Sequence, residues 1–162
     1  HRDIAIIDGP LEKCSARERL KGYLRVLEDY GITANQDWIS AEEYSEDEGY
    51  RQMKRLWNMK RRPTAILAAS YYLNMGVVRA VNELGIQIPG ELSLVAVDDD
   101  IFPAITNPPI TVGEQPLERM APEACRLLRK KLEGGTSEQT AEVVRLKGRV
   151  IYRSSVERPR KE

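Results

Sequence analysis

The stretch Leu92-Ser93-Leu94-Val95-Ala96-Val97, followed at once by Asp98-Asp99-Asp100, decides the fold prediction for this chain. Six mostly apolar residues rich in β-formers are typical of a strand buried on both faces, as in a parallel sheet. Burying the three carboxylates without partners would cost several kcal/mol, on the order of the penalty for unpaired buried charges. They therefore face water, cap a turn or hold a ligand. In open α/β sheets, ligands lie outside the carboxyl ends of the strands, which is where these acids stand.

Strands and helices alternate before this stretch. Apolar runs predict strands at 3–8, around 37–40, at 64–69 and at 92–97. Helical patterns run from about 15 to 30, 46 to 61 and 73 to 84, the first two opened by capping boxes at Ser15-Ala16-Arg17-Glu18 and Ser45-Glu46-Asp47-Glu48. Because crossovers between parallel strands are right-handed, this order predicts an α/β fold with a doubly wound, mostly parallel sheet.

After the acids the pattern changes. We predict a loop at Ile101–Asn107, an extended stretch at 108–112, and an amphipathic helix that opens at Gln115-Pro116 and ends at Gly134-Gly135. The segments Ala141–Leu146 and Val150–Arg153 are predicted to form a two-stranded antiparallel ribbon.

Composition limits the possible functions. The 162 residues carry 25 basic and 25 acidic side chains, a net charge of zero that argues against nucleic-acid binding through a broad basic face. No apolar run is long enough for a membrane span, and no signal peptide opens the sequence. Cys14 and Cys125 form no paired motif and His1 is the single histidine, so we expect reduced thiols in a cytoplasmic protein and neither a metal site nor a cofactor. The start without Met, directly before a predicted strand, indicates a piece of a longer protein.

Catalytic patterns are scarce. The sequence has no glycine loop that would cradle phosphates, and a terminal His1 leaves a Ser-His-Asp or Cys-His arrangement without its base. One enzymatic alternative stays open: Asp98, Asp99 and Asp100 offer oxygen ligands for Mg²⁺ in phosphoryl transfer, although that chemistry also recruits a positioned Lys or Ser/Thr.

Binding without catalysis uses the same edge of the sheet. A carboxylate such as Asp98 accepts hydroxyl hydrogens, and the guanidinium of Arg17 or Arg19 offers a planar donor fork. Aromatic rings stack on flat or apolar ligand faces, and Tyr44, Tyr71 and Tyr72 follow the predicted strands.

Each of these residues has a purely structural alternative. Arg19 could pair with Glu18 or Asp8, and Tyr44 could be a hydrophobic staple that packs near Gly49. Asp98 could cap the next turn, Gln115 could satisfy backbone groups, and Asp99 and Asp100 could be solvated turn residues.

Several ungapped motifs resemble the lactose/galactose-repressor (LacI/GalR) family of bacterial transcription regulators, in order along almost the whole chain. They are Arg2–Pro10, Ser15–Tyr23, Arg62–Ala69, Gly85–Asp99, and Pro108–Thr111 with Gln115-Pro116. The resemblance implies an effector-binding module of the periplasmic-binding-protein type, in which two Rossmann-like subdomains close on a small molecule, often a sugar.

The resemblance also implies roles for residues. Effector contacts fall on Arg19, Asp98, Tyr44 and Ser70 and, more peripherally, on Ser15 and Gln115. Tyr71 is a further candidate because of its aromatic ring and its position after a predicted strand, and not because of the resemblance. A homodimer interface falls on the predicted third helix and the following loop, with Leu73, Met75, Val77, Ile101 and Ile105. DNA would be bound only by a helix-turn-helix domain absent from this chain. A solute-binding protein of a sugar transporter, which shares the fold, is the alternative.

The resemblance divides the chain as well. Residues 1–112 and 139–156 correspond to the second, C-terminal subdomain, and 113–138 to a crossover segment and helix that belong with the first subdomain. The family usually has Asn-Asp where this chain has Ser70-Tyr71. A hydroxyl and a ring replace an amide and a carboxylate, so we expect a flatter or more apolar effector than a simple hexose.

Overall fold

The computed structural model describes residues 1–133 and 142–159. The strands are β1 Ile4–Asp8, β2 Ile39–Ala41, β3 Ala65–Ala68, β4 Ser93–Val97, β5 Thr111–Glu114 and β6 Arg149–Ile151. The helices are α1 Cys14–Asp29, α2 Glu46–Trp57, α3 Tyr71–Leu84, α4 Ile101–Ile105 and α5 Leu117–Glu133, with a 3-10 turn at Gln36–Trp38.

The strands form one sheet in the order β2-β1-β3-β4-β5-β6. The first five are parallel to their neighbours, and β6 is antiparallel to β5. The apolar stretch before the three acids forms β4, which lies between β3 and β5 with Leu94 and Ala96 fully buried. The predicted α/β class and mostly parallel sheet are confirmed.

Helices cover the sheet on both sides. Ile6 of β1 packs with Tyr23 and Leu27 of α1 in one cluster. Its neighbours Ala5 and Ile7 point the other way, into a larger cluster with residues of α2 and α3. Because side chains alternate along a strand, one short apolar run supplies both cores.

The helices α2 and α3 approach closely through two glycines. A Cβ on Gly76 would fall well inside contact distance of the Glu46 carbonyl, and one on Gly49 would collide with the backbone of Leu73. This close crossing fixes the N-terminal ends of both helices, where Ser45 and Ser70 accept hydrogen bonds from Glu48 N and Leu73 N as caps.

Four local predictions are wrong. Residues 142–148 have no regular structure, and β6 pairs with β5 instead of forming a ribbon with them, while residue 141 lies outside the described residues. The predicted loop after the acids contains the short helix α4, because the Asp100 carboxylate accepts from Ile101 N. Helix α1 begins at Cys14 without a side-chain cap, so the Ser15 capping box does not form. Helix α2 ends at Trp57, four residues early.

Helix α5 contributes nothing to the core. None of its residues is buried, and Leu117, Met120, Leu128 and Leu132 are largely exposed. Its predicted end at Gly134-Gly135 lies outside the described residues. Among the described helices, none combines the length and apolarity needed to cross a membrane.

Candidate effector site

The candidate residues follow the carboxyl ends of five neighbouring parallel strands. Along this edge of the sheet the order is Tyr44 after β2, Asp8 at the end of β1, Ser70 after β3, Asp98 after β4 and Gln115 after β5. Neighbouring strands lie about 4.8 Å apart, so the ends of β1 and β4, which have β3 between them, are roughly 10 Å apart along the edge. That separation suits a small molecule.

One end of the edge holds a hydrogen-bonded chain of three side chains. Arg19, in the second turn of α1, donates from Nη1 to the Tyr44 hydroxyl over 3.2 Å. Tyr44 in turn donates to Oδ1 of Asp8 over 3.2 Å. The same oxygen accepts from Gly9 N over 2.8 Å. Arg19 therefore bonds neither Glu18, which pairs with Lys21, nor Asp8 directly.

Asp8 is fully buried, and its Oδ2 has no hydrogen-bond partner among the described residues. Burial raises the pKa of the Asp8 carboxyl, while the hydrogen bonds from Gly9 and Tyr44 and the charge of Arg19 act in the opposite direction. From the sequence, Asp8 is predicted only as a possible partner of Arg19. The available signal was the acid that ends a buried strand, the same pattern that singled out Asp98.

The ring of Tyr44 lies directly on Gly9. A Cβ on Gly9 would overlap three atoms of that ring, so only glycine allows this approach. The structure thus places Tyr44 over the end of β1, where it separates Asp8 from Arg19. It also packs against the larger core cluster, so the binding and structural interpretations of this residue are compatible.

The other end of the edge holds a pocket. Asp98 accepts a hydrogen bond from Nε2 of Gln115, and its own backbone N–H donates to Gly113 O over 3.0 Å. A cavity of about 680 Å³ opens beside this pair, and Tyr71 also lines it. Its remaining walls carry charges of both signs, from Asp99, Asp100, Glu114, Glu118, Arg119, Lys147 and Arg149.

Asp98 has a left-handed backbone with φ 76°. Among residues other than glycine, Asp and Asn tolerate this conformation best. The turn aims the carboxylate at Gln115 rather than along the strand, so Asp98 does not cap the following helix.

The remaining candidates are placed differently. Ser70 is buried and its hydroxyl is engaged as the cap of α3. Ser15 is exposed in the first turn of α1. Tyr71 makes edge-to-face contacts with Tyr72 and Phe102, with ring centroids 5.7 and 6.2 Å apart. Arg19, Tyr44, Ser70 and Ser15 do not line the cavity beside Asp98, so the candidates form two groups along one edge.

The three consecutive acids have three separate partners. Asp98 accepts from Gln115, Asp99 pairs with Arg153 and Asp100 caps α4. Residues 1–133 and 142–159 contain no group of three or more His, Cys, Asp or Glu side chains arranged to hold a metal ion. The geometry therefore gives the Mg²⁺ alternative no support from these acids. Cys14 and Cys125 are both exposed free thiols.

The interface prediction is wrong for two residues. Leu73 and Val77 are fully buried in the core of the chain, because α3 turns this face toward the sheet, and they have no surface to offer a second copy. Met75 is half-buried, whereas Ile101 and Ile105 on α4 are each 73% exposed.

Similarity to known proteins identifies the family of this chain. The family described as "Periplasmic binding protein-like domain" matches residues 1–156. The chain belongs to this family. The HTH-type transcriptional repressor PurR of Proteus mirabilis is 33% identical over 156 residues, which cover 96% of this chain and 45% of the repressor. The chain thus spans less than half the length of the curated relatives it matches, in agreement with a resemblance to the effector-binding region only.

Solved structures agree. A LacI transcriptional regulator from Bacillus cereus subsp. cytotoxis superposes with a TM-score of 0.91 at 25% identity, over 97% of this chain and 55% of that one. A transcriptional regulator CelR in complex with cellobiose superposes with a TM-score of 0.87 at 30% identity, over 96% of this chain and 47% of that one. The resemblance to the lactose/galactose-repressor family is confirmed.

Proposed function

We propose that this chain is the effector-sensing and dimerising part of a bacterial, cytoplasmic transcription regulator that binds a small molecule without catalysis. The observation that carries the proposal is the row of polar and aromatic side chains, Tyr44 to Gln115, at the carboxyl ends of five neighbouring parallel strands. Ligands of open α/β sheets bind at this edge. The regulators that the chain resembles support a sensing role.

Each end of the row supplies a different chemistry. The Arg19 guanidinium and Tyr44 ring suit a ligand with acceptor atoms and a flat or apolar face. The Asp98 carboxylate and Gln115 amide suit hydroxyl or N–H donors. Tyr71 adds apolar surface beside Asp98, which favours a flatter effector than a simple hexose.

The proposal is tested by a thermal-shift screen of sugars, nucleosides and nucleobases against the chain, followed by calorimetry of the hits. We expect a hit whose affinity falls at least about tenfold in both Arg19→Gln and Asp98→Asn, the loss of one charged hydrogen bond at each end. Arg25→Gln is the matched control and should change affinity little, because this arginine of the same helix is 82% exposed and lies near the opposite end of α1. A hit that is insensitive to both Arg19→Gln and Asp98→Asn would contradict the proposed site, and plain hexoses as the best hits would contradict the expected effector class.

A homodimer is part of the proposal. Ile101 and Ile105 leave apolar surface on α4, next to a groove of about 490 Å³ lined by Val78, Ile88, Phe102 and other residues. Exposed apolar patches of this kind mark association surfaces. We expect Ile105→Asp to shift the chain from dimer to monomer in analytical ultracentrifugation, and an unchanged mass distribution would contradict this surface.

The transporter alternative differs in what the whole protein contains. A regulator requires a helix-turn-helix domain outside this chain, whereas a transporter component requires an export signal. Reading the coding sequence around these 162 residues distinguishes them. We expect no binding of operator DNA by this chain alone, because its charges balance.

A further inference from the structure

A buried carboxylate lies close to Arg19 at the β1 end of the edge without pairing with it. Arg19 makes no ion pair among the described residues, and its hydrogen bond goes to the neutral hydroxyl of Tyr44. Directly behind that hydroxyl lies the carboxylate of Asp8, fully buried and with Oδ2 unpartnered among those residues. A positive and a negative group thus stand one hydroxyl apart.

We propose that Asp8 is a specificity-determining residue, a fixed counter-charge under Arg19 that makes the site select neutral effectors and reject anionic ones such as phosphorylated or carboxylated sugars. This inference rests on the proposed role of Arg19 as an effector contact.

The physical argument starts from the low dielectric around Asp8. Water screens a buried carboxylate less than an exposed one, so the field of Asp8 reaches Arg19 more strongly than that of an exposed acid at the same distance would. An anion bound to Arg19 is repelled by the Asp8 carboxylate, which lies on the far side of the Tyr44 hydroxyl. A neutral carbonyl or hydroxyl acceptor is affected much less, because it carries no net charge.

The tyrosine holds the arrangement in place. Its hydroxyl donates to Asp8 and accepts from Arg19, so the phenol is oriented at both sides. The Tyr44 ring packs directly on Gly9, and this contact determines how far the ring lies from the end of β1. Asp8 therefore stays behind the ring, where it acts on the charge of a ligand without contacting the ligand.

The backbone supports the charged form of Asp8. Gly9 N donates to Oδ1 over 2.8 Å, and Tyr44 donates to the same oxygen. Hydrogen bonds donated to a carboxylate favour its ionised state. Burial acts in the opposite direction and raises the pKa of Asp8. The experiment is therefore run at neutral pH or slightly above.

The test uses sulfate, which remains a dianion at neutral pH, as the probe on the whole chain. Binding is followed by chemical-shift changes of the Arg19 and Gly9 amides at constant ionic strength maintained with chloride. We expect the wild-type chain to bind sulfate at this site at least about tenfold more weakly than Asp8→Asn, the change produced by removing one poorly screened charge. Asp8→Ala is a second variant, so the test does not depend on the folding of one substitution.

Two further variants separate the possible outcomes. Glu18→Gln removes an exposed acid adjacent to Arg19 in sequence, and we expect it to leave sulfate binding unchanged. Arg19→Gln in the Asp8→Asn background should abolish the gain. Equal sulfate affinity in the wild-type chain and both Asp8 variants, with loss on Arg19→Gln, would overturn the inference but leave Arg19 as a binding residue. A gain that survives Arg19→Gln would overturn both the inference and the proposed role of Arg19.

Discussion

The guanidinium of Arg153 donates from Nη2 to both carboxylate oxygens of Asp99, at 2.7 and 3.0 Å. A third bond runs from its Nη1 to Ile110 O over 2.8 Å. Both side chains of the pair are only 16% exposed. This contact ties the segment after β6 to the turn that follows β4, next to Asp98.

We expect Arg153→Ala to destabilise the chain by about 2 kcal/mol, because it leaves the Asp99 carboxylate and the Ile110 carbonyl in a largely buried position without their donor. Urea denaturation provides the measurement. Arg149→Ala is the matched control: it also removes an arginine–carboxylate pair, with Glu114, but its side chain is 73% exposed, so its cost should stay below about 1 kcal/mol. Equal costs for the two variants would contradict the structural role of Arg153.

Alanine substitutions at two glycines should have opposite effects on stability, because only one of the glycines lies at the close crossing of α2 and α3. Gly76→Ala would drive a methyl group into the backbone of α2, and we expect a loss of roughly 2–4 kcal/mol in unfolding free energy. Gly22 lies inside α1 with nothing near its missing Cβ. Gly22→Ala should therefore stabilise the chain, by about 0.5–1 kcal/mol, through helix propensity alone. A Gly76→Ala variant as stable as wild type would show that the two helices are further apart than described, and a destabilised Gly22→Ala would contradict the open surroundings of Gly22.

The buried position of Asp8 predicts a pH dependence of stability. Burial raises the pKa of the Asp8 carboxyl in the folded chain, so this carboxyl binds a proton more tightly in the folded chain than in the unfolded chain. The contribution of Asp8 to stability is complete below the unfolded pKa and declines as pH rises through the folded pKa. Relative to wild type, Asp8→Asn should therefore gain stability as pH rises from about 4 to 7. Thermal melts of both proteins across this range test the trend, and a constant difference between them would contradict it.

The left-handed backbone of Asp98 predicts a trade-off. Asp98→Gly removes the strain of a positive φ and should stabilise the chain by up to about 1–2 kcal/mol, while the effector loses a carboxylate partner. Asp98→Asn keeps a residue that tolerates this conformation, so its stability should change little although binding weakens. Melting temperatures and effector affinities of the two variants together provide the check. A destabilised Asp98→Gly would mean that the hydrogen bond from Gln115 outweighs the strain.

Strong local patterns made the central architecture predictable. The apolar run of β4 and the alternation of helices and strands before it determine a parallel sheet whatever the packing details. The partner of β6 was not predictable in this way, because the residues on either side of Lys147-Gly148-Arg149 look equally like strands. Gly148 passes close to the Glu114 carbonyl, and the pairing with β5 depends on such long-range contacts.

The site shows the same division. The hydrogen bond between Gln115 and Asp98 follows from their positions after neighbouring strands, and both residues were predicted effector contacts. The hydrogen-bonded chain from Asp8 through Tyr44 to Arg19 depends on the close packing of the Tyr44 ring on Gly9. The pattern of apolar residues in the sequence does not predict this contact. Leu73 and Val77 were assigned to the wrong face because the rotation of α3 is determined by its close contact with α2.

The two outermost strands, β2 and β6, are each three residues long. A sheet edge recruits foreign chains through its free backbone N–H and C=O groups, and so short a strand offers few of them. A strand from another molecule, the first step toward fibrils, can therefore form few backbone hydrogen bonds at either edge of the sheet. Self-association then depends on side-chain surfaces such as that of α4.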